Sequence, residues 1–252
     1  MRQVLVYDLP TRLFHWLFAG FFITAFAIAN LVDDDSARFS LHMLAGVGMV
    51  SVVAFRLVWS LVGTRHARIS DLVLAPAQLL AYFKGIFSGT SRRWIGHNPA
   101  SSWAALAMIS LALGMGTTGY LMATSAGGES FKDVHELMAN AFLAVVLLHV
   151  GGVLVHVLRH RDRLASSMVT GRKPALTSDQ VPVRAMPVAG LALVVMTGLL
   201  MGYLMQNYDA QARTLDLFGT TMQLGEIEDG HEAGGIDGGE HEHEARAQSR
   251  DD

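Results

Sequence analysis

Five long apolar stretches constrain this chain more than anything else in it: Leu13–Val32, Leu41–Val62, Ser102–Met122, Leu137–Leu158 and Pro187–Met205. Each is near the roughly 20 residues that a helix needs to cross a bilayer. A segment in hydrocarbon must pair its own backbone amides, so stretches of this length are helices or they are not in the membrane. A soluble bundle is the rival, but its helices keep a polar stripe toward water. The third and fifth stretches are apolar all round. Composition agrees, with 51% of the 252 residues hydrophobic and 16% charged, which is too apolar for an ordinary soluble domain. The expected fold is all-α, an integral membrane four-helix bundle with a fifth transmembrane helix. In that fifth segment Pro187 suits a helix start, and Gly198-x-x-x-Gly202 offers a surface for close helix packing.

Charges in the loops orient the helices. Arg65, Arg68, Lys84, Arg92 and Arg93 lie between segments two and three, and Arg159, Arg161, Arg163, Arg172, Lys173 and Arg184 follow segment four. The alternate loops, Asp33 to Arg38 and Ser125 to Asp133, are poor in cations. The positive-inside rule therefore places the N-terminus in the cytoplasm. Five crossings put the C-terminal tail outside, and four leave it inside. Ala27-Ile-Ala29 resembles a signal-peptide cleavage site, but the long apolar stretch and the flanking Asp8, Pro10 and Arg12 argue for a retained helix.

The chain has no cysteine and eleven histidines. Thiolate zinc sites, iron–sulfur clusters held by this chain and disulfides are thereby excluded. His135 and His149 are fourteen residues apart, which on a helix is an advance of about 21 Å and a return to within about 40° of the same face. His42 falls at the depth of His135, and His15 at the depth of His149. Two layers of imidazoles result, one near each membrane surface. One such histidine alone reads as a neutral ring bonded to a carbonyl. Four at matching depths read as a site, because polar groups in hydrocarbon are costly. Facing imidazoles in an apolar slot suit a six-coordinate haem iron. Small residues that leave room for a macrocycle are Gly20, Gly46, Gly48, Gly114, Gly116 and Gly119.

Three side readings accompany this one. Arg56 lies fourteen residues after His42, so it either meets a haem propionate or snorkels to the interface beside Trp59. His156 shares the face of His149 and competes with it as inner ligand, although His149 sits deeper. His66, His97 and His160 lie in polar stretches and read as solvated residues.

Taken as an ordered set, several motifs resemble the bacterial cytochrome b561 and nickel–iron hydrogenase b-type cytochrome superfamily. They are Asp8-Leu-Pro-Thr-Arg-Leu-Phe-His15-Trp16, His42-Met-Leu-Ala-Gly46, Arg56-Leu-Val-Trp59, Gly96-His-Asn-Pro99, His135-Glu-Leu with His149, and Met168-Val-Thr-Gly171. The resemblance implies a four-helix membrane cytochrome with two b-type haems, whose axial iron ligands map onto His15, His42, His135 and His149. It also implies electron transfer between the quinone pool and a periplasmic redox partner, such as a c-type cytochrome or an oxidoreductase subunit, in the bacterial inner membrane. Expected partners are thus membrane lipid, quinone, a periplasmic electron-transfer protein and a partner subunit, and not nucleic acid. The competing function is a divalent-metal transporter, which calls for intramembrane carboxylates that the first three segments lack.

The chain is expected to divide into a haem domain at 1–172, a linker and fifth helix at 173–206, and an acidic, disordered tail at 207–252. From residue 226 the tail holds ten acids against two arginines, too polar to form a core. His231, His241 and His243 with nearby carboxylates make weak metal capture a second reading of it. If outside, its charge also suits steering of a basic partner.

Overall fold

The computed structural model describes residues 2–33, 36–90, 94–124, 130–160 and 165–224. Five helices are long and apolar enough to cross a membrane: α1 (Leu9–Leu31), α2 (Ser40–Val62), α4 (Pro99–Ala123), α5 (Ser130–His160) and α7 (Pro187–Gln206). A shorter helix, α3 (Pro76–Ser88), joins α2 to α4, and a single turn, α6 (Ser167–Thr170), follows α5. The hydropathy segments find each long helix but miss its polar ends. Asp8 caps α1 by accepting from the Thr11 amide, and Asn98 and Ser101 form a reciprocal capping box on α4, each followed by a proline in the first turn. Such caps satisfy amides that the helix itself leaves unpaired.

Strand β1 (Gln3–Leu5) pairs antiparallel with β2 (Arg172–Pro174), in the register Val4 opposite Lys173. This ties the start of the chain to the segment after α5, at the end of the bundle where α1 begins. The motifs at residues 8–16, 96–99 and 168–171 knit that end together. Trp16 donates to the Met168 carbonyl at 3.0 Å, and Arg12 donates to that of Val169. The buried Lys173 ammonium donates to the Tyr7 hydroxyl and the Ile95 carbonyl, both at 3.0 Å. Gly171 closes α6 at a φ of +74°, and its carbonyl accepts from the amides of Val6 and Tyr7. A side chain there meets the Tyr7 carbonyl as well as the left-handed backbone penalty.

Helix α7 begins at this same end, where Leu9 N–H donates to the Ala185 carbonyl and Val183 N–H to that of Leu5. It finishes at the opposite end, where Tyr208 reaches the Ala37 carbonyl and Ser40 that of Leu224. The fifth segment therefore runs the full length of the bundle. It packs on α1 and α2, meeting α1 through Gly190, which lies against Leu9 and Leu13, while Gly198 and Gly202 border open space.

The tail boundary at 207 needs correction. Strands β3 (Tyr208–Asp209), β4 (Thr214–Leu217) and β5 (Thr220–Gln223) form an antiparallel sheet across the far end. Leu215, Met222 and Leu224 are buried there against Leu44, Ala123 and Leu204. The acidic composition that argues against a core begins only after these apolar residues. Residues 225–252, with His231, His241 and His243, lie outside the described ones.

The central core joins Phe14, Phe18 and Phe22 of α1 to Val52 and Val53 of α2, Met115 of α4, Phe142 of α5 and Leu193 of α7. The outer face of α5 is apolar and exposed, with Leu148 at 75%. A surface of that kind suits lipid, which is as apolar as leucine.

Candidate functional site

The four layered histidines sit on three of the helices that form this core. Helix α1 packs along α2, and α5 packs along α4, so each pair spans from one helix couple to the other. At the far end His42, in the first turn of α2, faces His135 of α5. Their ring centroids are 6.1 Å apart with an interplanar angle of 66°. Two bonds of about 2 Å to a shared metal, plus about 1 Å from each nitrogen to its ring centre, give about 6 Å. The spacing fits two imidazoles on opposite faces of one iron.

Neighbouring helices determine which nitrogen each ring presents. His42 Nδ1 lies 2.9 Å from the Ala25 carbonyl of α1. A carbonyl only accepts, so Nδ1 carries the proton and Nε2 keeps its lone pair. His135 Nδ1 lies 2.9 Å from Thr118 Oγ1 of α4. The single Thr118 hydroxyl proton is directed at the carbonyls of Gly114 and Met115, 3.0 and 3.1 Å away. Thr118 therefore accepts from His135, which leaves Nε2 free there too. Phe39 stacks on the His42 ring at 5.3 Å and holds its plane. Both rings are oriented as metal-bound histidines are, with the second nitrogen donating to an acceptor.

At the N-terminal end His15 of α1 and His149 of α5 are close enough to interact electrostatically. His15 Nδ1 is buried and has no hydrogen-bond partner. An orphaned buried nitrogen of this kind is uncommon and unfavourable, and an iron or a bridging group would satisfy it. The donor set at both ends, paired neutral imidazoles in apolar surroundings, fits haem. His156 is half-buried two turns further along α5.

Between the pairs stands Phe142, seven residues from each α5 histidine and 1% exposed. Its ring lies 4.4 Å from that of Phe22 and 5.6 Å from that of Phe18. Phe14 stacks on Phe18 at 5.3 Å, and Phe26 lies 5.6 Å from Phe22. An aromatic column thus runs along α1 from the inner layer to the outer one.

The glycines divide into two sets. Gly20 and Gly46 border open space, as room for a macrocycle requires. Gly48, Gly114 and Gly116 do not: a side chain on them strikes Phe21, Met138 and Val50 respectively, so they serve helix contacts. Gly119 faces His135 at ordinary contact distance.

Arg56 is 8% exposed. Its Nη1 donates to the Ala67 carbonyl at 2.7 Å, and its guanidinium lies 5.8 Å from the centre of the Phe14 ring. Nearby, Asp8 is fully buried and accepts from Thr11 N, Trp59 Nε1 and Thr64 Oγ1.

His66 and His97 are not the solvated residues that their polar surroundings in sequence suggest. His66 is 8% exposed and 2.8 Å from the Asp71 carboxylate. His97 has a sealed, unpartnered Nδ1, with the Tyr7 ring at 6.0 Å. Burial pushes its pKa down to about 4, and the Arg56 charge acts in the same direction. Hydropathy carries no trace of this for His97, because Tyr7 and Arg56 reach it from distant parts of the chain. The side chain of His160 lies outside the described residues. Among those residues, no three His, Cys, Asp or Glu side chains converge as a metal-ion site.

Comparison with known proteins adds an independent line. The family model described as prokaryotic cytochrome b561 matches residues 6–171. A protein of Azotobacter vinelandii described as a probable Ni/Fe-hydrogenase B-type cytochrome subunit is 28% identical over 212 residues, covering 67% of this chain and 87% of its own. One with the same description from Rhizobium leguminosarum bv. viciae is 24% identical over 216 residues, covering 68% of this chain and 89% of its own. No solved structure matches significantly. The family match ends at Gly171, so α7 and the far-end sheet lie beyond it.

Proposed function

The chain belongs to the prokaryotic cytochrome b561 family, a group of multi-pass membrane b-type cytochromes, and from that premise we propose that it conducts electrons along the bundle between a redox subunit docked at the far end and quinone at the N-terminal end. The observation that carries this reading is the His42–His135 pair, spaced at 6.1 Å with both Nδ1 atoms committed to acceptors. His15 and His149 form the matching inner pair, which makes two haems per chain. The relatives' description as hydrogenase cytochrome subunits supports a hydrogenase as the docked subunit. A c-type cytochrome is the other candidate donor or acceptor.

Haem, when bound, supplies reversible one-electron chemistry at iron. The rest falls to the chain. His42 and His135 would supply their Nε2 lone pairs to the iron, with Nδ1 held by Ala25 and Thr118. Phe142 and its neighbours on α1 keep the space between the pairs dry. Arg56, buried against the Phe14 ring, offers a cation that could receive a propionate, in keeping with charge-assisted pairing. The cation-rich loops lie with the N-terminal end, which supports a cytoplasmic N-terminus and a periplasmic far-end sheet in the inner membrane.

The test is a haem-to-chain ratio and a reduced-minus-oxidised spectrum of the purified protein. Two haems with sharp bis-imidazole bands that are reduced by a quinol are expected. Haem-free protein, or one haem in material shown to be intact, overturns the reading.

A further inference from the structure

The far-end sheet lies beyond the family match, which ends at Gly171, and its β4–β5 turn is built against local preference. Leu217 pairs with Thr220, so Phe218 and Gly219 make the turn. Both have positive φ, +51° and +84°. A two-residue hairpin of this geometry normally carries Asn, Asp or Gly at its first position. A bulky side chain there is strained. Phe218 is also 78% exposed, the one exposed large apolar side chain among the described residues after α7.

Tyr203 of α7 holds the turn in this form. Its hydroxyl accepts from the Phe218 amide at 3.0 Å and donates to the Asp216 carbonyl at 3.4 Å. The Asp216 carboxylate accepts from the Gly219 amide at 3.0 Å. The Phe218 ring stacks on that of Tyr203, 5.1 Å away and 13° from parallel. Tyr203 follows Met196 by seven residues and Leu199 by four, which sets all three on one face of α7. Met196 and Leu199 are exposed, on the side that a membrane-crossing helix turns to lipid. Helix α7 has 20 residues, a length of about 30 Å, which is the thickness of the hydrocarbon core. Tyr203 is three residues from its end, where the core gives way to headgroups and aromatic rings collect.

We propose that Phe218 is an interfacial anchor, whose ring enters the lipid at the far-end membrane surface and extends the lipid-facing stripe of α7 onto the sheet. Its partner is the bilayer, at the boundary between acyl chains and headgroups. An apolar ring gains free energy on leaving water there, and that gain offsets the strain of the turn. Asp216 and Thr220, both exposed, stay in the headgroup layer. The sheet is thereby fastened twice, to the bundle by Leu215 and Met222 and to the membrane by Phe218. The anchor does not depend on haem.

The chain has no cysteine, so Phe218→Cys accepts a single nitroxide label. The full chain is placed in vesicles of phosphatidylethanolamine and phosphatidylglycerol, with lipid in large excess. Spin relaxation is then read with oxygen, which concentrates in lipid, and with a nickel chelate, which stays in water. The oxygen-to-nickel ratio at position 218 should exceed that at the exposed Gln211→Cys several-fold. A ratio no higher than at 211, or a label shielded from both reagents by a second protein copy, overturns the proposal. Should Phe218→Cys not fold, Phe218→Trp keeps an aromatic ring and decides instead. Its fluorescence in excess of wild type should be quenched by brominated lipid, and the absence of that quenching overturns the anchor.

Discussion

The ring of Phe142 lies 4.4 Å from that of Phe22, and it occupies the one level of α5 that is equally far from His135 and His149. The contact joins the helix that carries two of the four imidazoles to the helix that carries a third. It also closes the space between the two histidine layers.

Replacing that ring should therefore loosen both layers at once. Phe142→Ala is expected to cost about 3–5 kcal/mol through the cavity it leaves, with Phe142→Leu costing clearly less. Thermal loss of Soret absorbance reports this. Equal melting of Phe142→Ala and wild type would show that the bundle closes without the aromatic column.

Single ligand substitutions should separate the two haems. His42→Ala or His135→Ala should lose one haem, His15→Ala or His149→Ala the other, and His156→Ala neither. Haem content measured on monodisperse protein decides this. Loss of the inner haem in His156→Ala, with its retention in His149→Ala, would move the inner ligand two turns along α5.

Asp8 offers a structural counterpart. Its carboxylate accepts from three groups at once and is shielded from solvent. Asp8→Ala removes a helix cap and strands the Trp59 and Thr64 donors, a loss of about 3 kcal/mol. A lower melting temperature, with haem still bound at both sites after folding at low temperature, is the expected pattern.

His97 should make stability depend on pH. Its folded pKa, about 4, lies below the unfolded value of 6.5. The unfolded chain therefore binds more protons between those values, and stability falls as pH drops from about 6.5 toward 4. Arg56, Lys173 and His66 face it as cations or potential cations, and only Asp71 opposes them. Melting temperatures of His97→Gln should be flatter across that window. An unchanged slope would assign the effect to another group.

Topology is tested at the end of the chain. A reporter active only in the cytoplasm, fused after Asp252, should be silent, because α7 ends at the opposite end of the bundle from the N-terminus. A strong signal would reverse the orientation drawn from loop charge.

Hydropathy and helical spacing alone determine a good deal here. Five apolar stretches of bilayer length can only be helices, and fourteen-residue spacing puts His135 and His149 on one face whatever packs beside them. These properties are local, set by backbone pairing and by the pitch of a single helix. Tertiary structure decides what is not local. That Thr118 of α4 accepts from His135 while His15 Nδ1 has no acceptor depends on how helices far apart in sequence meet. The same holds for Gly48 and Gly116, which look like room for a cofactor and prove to be contact points for Phe21 and Val50. His97 sits in polar sequence, yet Tyr7 lies against it and Arg56 and Lys173 act on it from three other segments. Leu215 and Met222 of the far-end sheet, with Leu224 after it, are buried at the edge of an acidic tail because α2, α4 and α7 present an apolar surface for them to cover. In each case the free energy lies in a contact between distant segments, which no periodicity along the chain records.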